Sequence, residues 1–175
     1  MALMSGKRGL IMGVANDRSI AWGIAQACHE QGAEMAFTYQ GEALGKRVQP
    51  LAESVGSDIV LPCDVTDEAS MDAVFATLAA RWGRLDFLVP AIGFSDKGEL
   101  RGRYVEMTTP ANFSQTMLIS VFSFTAAVAR AAKLMTGGGS CLTLTYYGAE
   151  KVMPHYNVMG VAKAALEASV KYMAM

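Results

Sequence analysis

Tyr156 and Lys163 stand seven residues apart in a stretch of helical character, and together they could do proton chemistry. At about 3.6 residues per turn that spacing is close to two full turns, so both side chains project from one helix face. A lysine ammonium held near a phenol favours the phenolate electrostatically and can also hold a ribose hydroxyl. Taken alone, such a pair is more often a surface tyrosine and a surface lysine. A second candidate lies near the start of the chain, where GVANDRSIAWGIA (residues 13–25) joins a short apolar run to a helix. A glycine at that junction lets the backbone turn tightly and approach a pyrophosphate. The first N–H groups of the helix and its positive dipole end then favour the anion. The strict G-x-G-x-x-G spacing is absent, and an ordinary glycine-containing turn would look similar.

These residues need elements to hold them, and the chain alternates short β-rich runs with longer helical patterns. Strands are expected at residues 7–12, 34–38, 58–61, 85–89 and 141–145. Helices are expected at 20–31, with apolar residues at Ile20, Ile24, Ala25 and Cys28, at 42–54, and at 67–82 with Thr66 as N-cap. Residues 93–109 read as a long polar loop. An almost wholly apolar helix follows at 111–133, and a last one runs from near Tyr156 to the end. Strand–helix alternation with continuous apolar strands is the pattern of an α/β, doubly wound parallel sheet. Ligands of such sheets sit beyond the carboxyl ends of the strands, where the candidate motifs fall.

Composition narrows the classes. At 175 residues the chain has one-domain length, and 52% hydrophobic residues support a sizeable core. Only 18% are charged, so much of the surface is expected to be covered. The net charge of -1, without any Lys/Arg run, points away from nucleic acid. Apolar runs are broken by Gly, Ser or charge, so no membrane span is expected, and the N-terminus lacks the pattern of a signal peptide. Cys28, Cys63 and Cys141 are odd in number and widely spaced. That pattern suits neither a disulfide framework nor a zinc site and favours a reducing cytoplasm; no metal is expected.

The segment LTLTYYGAEKVMPHYNVMGVAKAALEASVKY (residues 142–172) resembles bacterial NADH-dependent enoyl-acyl-carrier-protein reductases almost residue for residue. These form a branch of the short-chain dehydrogenase/reductase superfamily. Ordinary members use Tyr-x3-Lys, but the residue four after Tyr156 is Gly160. They also carry a serine upstream, where this chain has Thr143 and then Tyr146. Tyr-x6-Lys, with a second tyrosine ten residues before the first, marks the enoyl reductases. The spacing Gly13-x5-Ser19, the loop AIGFSDK (91–97) and NFSQTMLISVFSF (112–124) agree, and the resemblance covers the whole chain.

The resemblance implies a Rossmann-like fold and reduction of trans-2-enoyl thioesters on acyl carrier protein by NADH in fatty-acid elongation. It implies cofactor contacts at Gly13, Ser19, Ile20, Gln40, Asp64, Val65, Ile92 and Lys163, and a substrate contact at Ser95. Tyr146, Tyr156 and Lys163 would be catalytic, while His155 has no such role. Without the resemblance, Asp64 reads equally well as a capping or turn aspartate. A cytoplasmic homotetramer is implied as well. The two long apolar helices, with small and apolar residues on most faces, agree with an oligomer. The chain is expected to be a single dinucleotide-binding and catalytic domain over residues 1–175, truncated after the catalytic helix, with the family's C-terminal strands absent. The alternatives are a short-chain dehydrogenase acting on a ketone or alcohol, or a nucleotide-binding or oligomerising fragment without turnover. One further departure is Pro90, where most relatives have histidine. It is expected to end the fourth strand early or shift the backbone.

Overall fold

The computed structural model describes residues 2–175, and these fall into two compact units. One comprises the chain up to Ala91 together with Ala127–Thr143; the other comprises Ile92–Ala126 and Leu144–Met175.

The first unit holds the sheet. Its strands are β1 (Arg8–Met12), β2 (Glu34–Tyr39), β3 (Val60–Pro62), β4 (Phe87–Pro90) and β5 (Ser140–Cys141), all pairing parallel in the order β3-β2-β1-β4-β5. Helices α1 (Ile20–Glu30), α2 (Gly41–Ser54) and α3 (Glu68–Trp82) link the first four strands. The chain builds outward from β1 to β3, then returns to β4 on the other side of β1. The strand order therefore reverses between β1 and β4. Right-handed crossovers place α1 and α2 on one face and α3 on the other. The core follows this division. Ile11, Phe37 and Val89 pack with Ala21, Trp22, Ala25, Val48 and Ala52 of α1 and α2. Leu10 and Met12 alternate to the opposite face and are as fully buried. Burial on both faces is why the strands read as unbroken apolar runs. Gly9 is required by its neighbour, since a Cβ there would lie 2.0 Å from the Phe87 ring on β4.

Several expectations are corrected. The buried face of α1 is Ala21, Trp22 and Ala25, whereas Ile20 at its start is 68% exposed. Asp67, not Thr66, caps α3 and accepts from the Ala69 N–H; Thr66 is engaged with the Asp64 carboxylate instead. The fifth strand is two residues long rather than 141–145, and Pro90 explains this. Ser140 N–H donates to Asp86 O and Leu142 N–H to Leu88 O. The next bond in that parallel register would need an N–H on Pro90, which has none. Nor does Pro90 end β4 early, because it pairs with Met12 as the strand's last residue.

The second unit is helical. The loop expected at 93–109 contains a short helix, α4 (Tyr104–Met107). The expected apolar helix is three pieces: α5 (Pro110–Met117), a π-helical turn (Leu118–Phe122) and α6 (Ser123–Ala131), of which the residues from Ala127 on belong to the first unit. Thr109 caps α5 by accepting from Asn112 N–H, and Pro110 sits at its first turn, where no N–H is needed. By length and composition alone the run Pro110–Ala131 could cross a membrane, with 44% of its most apolar window buried. Its polar residues Asn112, Thr116 and Ser120 are buried and hydrogen-bonded within the unit. A 3-10 turn (Tyr147–Ala149) leads to α7 (Asn157–Met173).

Candidate active site

In the first unit, the candidate cofactor residues occupy the carboxyl ends of the strands. Gly13 follows β1 with a φ of 92°, a left-handed conformation that glycine adopts without strain. Ser19 is the N-cap of α1, and its hydroxyl accepts from the Ala15 and Asn16 N–H groups at 3.0 and 3.1 Å. The hydroxyl thus folds the loop back over the start of the helix. Exposed Ile20 opens α1 beside it. After β2, the exposed Gln40 donates its amide to Asp64 at 3.0 Å, joining the loops that follow β2 and β3. Asp64 also accepts from the Thr66 N–H and hydroxyl, and its pKa lies below the ordinary carboxylate value. The Thr66 hydroxyl is the largest cause, followed by the Thr66 N–H. Asp64 is therefore a turn aspartate that keeps its charge. Val65 next to it is half-buried.

In the second unit, Lys163 lies in the body of α7 and Tyr156 at its entry, which corrects the expected geometry in one respect. Tyr156 is the N-cap residue of α7 rather than part of its first turn. It lies between two non-glycine residues of positive φ, His155 at 58° and Asn157 at 25°. Asn157 secures the turn by donating its amide to Glu99 O at 2.9 Å and to Gly102 O at 3.4 Å. Exposed His155 takes part in the turn and not in the Tyr156 ring contact. That contact is with Tyr146, edge to face, with centroids 4.8 Å apart and an interplanar angle of 67°. Burial raises the Tyr156 phenol pKa, and the neighbouring Tyr146 phenol raises it further. Tyr156 also borders a pocket of about 410 Å³, with Tyr104, Val152, Met153 and Val161 among its walls.

Lys163 is 8% exposed and donates to Leu144 O at 2.7 Å, its one hydrogen-bond partner among the described residues. Burial holds its pKa below the ordinary lysine value. An ammonium with three hydrogens and a single carbonyl partner retains donors for a ligand. Geometry also explains why the lysine stands seven residues after the tyrosine rather than four. A Cβ on Gly160 would lie 2.9 Å from Gly148 O, and one on Gly148 would lie 2.5 Å from the Tyr156 ring. These two glycines let the 3-10 turn press onto α7 and the tyrosine ring press onto the turn. No side chain fits at position 160 without moving backbone.

Ile92 and Ser95 lie on the loop that opens this unit. Ile92 is half-buried. The Ser95 hydroxyl accepts from Asn112 Nδ2 at 3.1 Å and from the Thr116 hydroxyl at 3.0 Å, so its lone pairs are engaged inside the protein. Asn112 Oδ1 accepts from Asp96 N–H at 2.9 Å. Sequence reasoning did not single out Asn112, Thr116, Asn157 or Gly148. Polar residues four apart in an otherwise apolar helix were the available signal for the first two.

Comparison with known proteins agrees with this architecture. The profile of the family described as enoyl-(acyl carrier protein) reductase matches residues 13–175. The enoyl-[acyl-carrier-protein] reductase [NADH] 2 of Rhizobium meliloti is 68% identical over 172 residues, covering 98% of this chain and 64% of that protein. The crystal structure of FabI from Candidatus Liberibacter asiaticus superimposes with a TM-score of 0.97 at 57% identity, over 99% of this chain and 67% of that one. The enoyl-(acyl-carrier-protein) reductase of Anaplasma phagocytophilum, solved in complex with NAD, gives 0.95 at 62% identity, over 98% and 65%. The chain belongs to the enoyl-(acyl carrier protein) reductase family. It spans about two thirds of the length of these relatives, 64% for the Rhizobium protein.

Proposed function

We propose that residues 1–175 form one dinucleotide-binding and catalytic domain of an NADH-dependent enoyl-acyl-carrier-protein reductase acting in fatty-acid elongation. The observation that carries this reading is Lys163, buried, bonded to a single carbonyl and seven residues past a half-buried tyrosine. The Rhizobium relative named for NADH and the Anaplasma structure holding NAD support the cofactor. The residues suit it. The left-handed Gly13 and the N-terminus of α1 offer backbone N–H groups to a pyrophosphate. Ser19 and Ile20 would contact the same half, and Gln40, Asp64 and Val65 the adenosine. Ile92 would lie near the nicotinamide, and Lys163 would hold its ribose. When bound, the nicotinamide supplies the hydride that reaches the β-carbon of the enoyl thioester.

The chain's own groups then handle charge and protons. The Tyr156 hydroxyl, whose pKa burial raises further above neutrality, donates to the thioester oxygen as enolate charge develops. The Lys163 ammonium lowers the cost of that charge. Tyr146 orients the Tyr156 ring by edge-to-face contact and lines the acyl site. Ser95 acts on substrate through the loop that its hydroxyl anchors. Exposed Leu118, Phe122, Val161 and Val170 support burial of the α5–α6 run and α7 against further copies, in a homotetramer. Likeness to bacterial fatty-acid enzymes supports a cytoplasmic setting.

The test is NADH oxidation at 340 nm with crotonyl-CoA, compared with NADPH. Turnover with NADH preferred is expected, because Thr38-Tyr39-Gln40-Gly41 offers no arginine for a 2′-phosphate. Tyr156→Phe should bind NADH normally and slow reduction by on the order of 100-fold, the usual loss for one oxyanion donor. Wild-type turnover by that variant would remove Tyr156 from the mechanism.

A further inference from the structure

Ser120 takes no part in the reading above, yet its placement ties the helix before it to the loop at Gly93. It lies in the π-helical turn, is 1% exposed, and holds both backbone groups of one residue. Phe94 N–H donates to Ser120 Oγ at 3.0 Å, and Ser120 Oγ donates to Phe94 O at 3.1 Å. A buried serine in a helix more often bonds back to its own helix, as Ser123 does to Ile119 O at 2.7 Å. Ser120 instead acts as one rung of a polar stripe, four residues after Thr116 and eight after Asn112, which hold Ser95 and Asp96. Three consecutive loop residues are thus fixed to one helix face. A π turn carries one residue more than an α turn and so changes which face a side chain meets, a device common at functional sites.

The loop matters because of what surrounds Gly93. A Cβ built on Gly93 would lie 3.7 Å from Met159 Cε, 3.8 Å from Ser120 Oγ and 3.9 Å from Lys163 Nζ. The serine hydroxyl and the lysine ammonium therefore both lie beside Gly93. We infer that Ser120 is a positioning residue, whose grip on the Phe94 backbone fixes where Gly93 stands beside Lys163, at the place proposed to receive the cofactor. The last clause rests on the proposed function; the grip does not.

Two measurements on the full chain separate these. The first is exchange of the Phe94 amide without ligand, by NMR; the second is the NADH dissociation constant, by fluorescence. Ser120→Ala should speed Phe94 exchange and weaken NADH, each by about tenfold, the scale of one buried hydrogen-bonded pair. Ser120→Thr keeps the hydroxyl and should restore both. Ser123→Ala removes the same group from the same helix without touching the loop and should move neither. If Ser120→Ala does not fold, Ser120→Cys, with its weak donor and acceptor, carries the same comparison. Wild-type values in the Ser120 variant, or equal changes in the Ser123 variant, would overturn the inference. If the wild-type chain bound no NADH, the reductase reading would fall. Phe94 exchange would then still decide the grip: faster exchange only in the Ser120 variant upholds it, and unchanged exchange refutes it.

Discussion

Asn157 offers a sharp check on the turn that presents Tyr156. Its amide bond to Glu99 O, at 2.9 Å, should contribute about 1 kcal/mol; the 3.4 Å contact to Gly102 O adds little. Both Asn157→Ala and Asn157→Gly lose that contribution. They differ in backbone, because position 157 has a φ of 25° at the start of α7. Alanine is strained there by about 1 kcal/mol or more, whereas glycine is not. The alanine variant should therefore lose about 2 kcal/mol and the glycine variant about 1 kcal/mol. This inverts the order in a helix interior, where glycine is worse than alanine by about 1 kcal/mol. Urea denaturation with a common m-value measures the difference directly, and the melting temperatures should differ by about 2–4 °C. An alanine variant as stable as the glycine variant, or more so, would show that the turn is not strained and that its geometry has been misread.

Further outcomes follow from the same contacts. Lys163→Met should gain stability relative to wild type at pH 7 more than at pH 10. The buried ammonium has a lowered folded pKa, so its cost is full below that value. The cost fades as pH climbs from the folded pKa toward the unfolded one near about 10.4, which paired urea titrations would detect. Gly9→Ala should destabilise by about 1–3 kcal/mol, since its Cβ would meet the Phe87 ring at 2.0 Å; a wild-type melting temperature would contradict this. Cys63, 6% exposed and with burial pushing its thiol up to about 11, should react with a thiol reagent at pH 8 only after unfolding, as mass spectrometry of the labelled chain would reveal.

How far the sequence discloses this molecule depends on which force shapes each part. β1, β2, β4 and α1 to α3 were legible because two-sided burial leaves continuous apolar strands and periodic helices. α4 was not, because four residues are too few to show a period. The π turn was missed because one added residue inside Leu118–Phe122 leaves an apolar run looking the same. Thr66 and Asp67 are both good caps by type, and only the competing Asp64 carboxylate decides between them. Pro90 was noticed, but its effect lies on the neighbouring strand, which a single-strand reading does not reach. In the candidate site, the helix that carries Lys163 was legible. The inward engagement of the Ser95 hydroxyl was not, since it depends on Asn112 and Thr116 arriving from another element.

The contact between Gly160 and the Gly148 carbonyl also bears on how such enzymes can change by mutation. Moving the lysine to the four-residue spacing of ordinary short-chain dehydrogenases would put a side chain where backbone oxygen already lies, 2.9 Å from its Cβ. A single substitution to lysine at position 160 should therefore be destabilising. The turn at Tyr147–Ala149 would have to retreat from α7 in the same step. In directed evolution, exchange between the two tyrosine–lysine spacings should demand a rebuilt loop around position 148 together with the change at position 160. Lineages using each spacing would then drift without crossing.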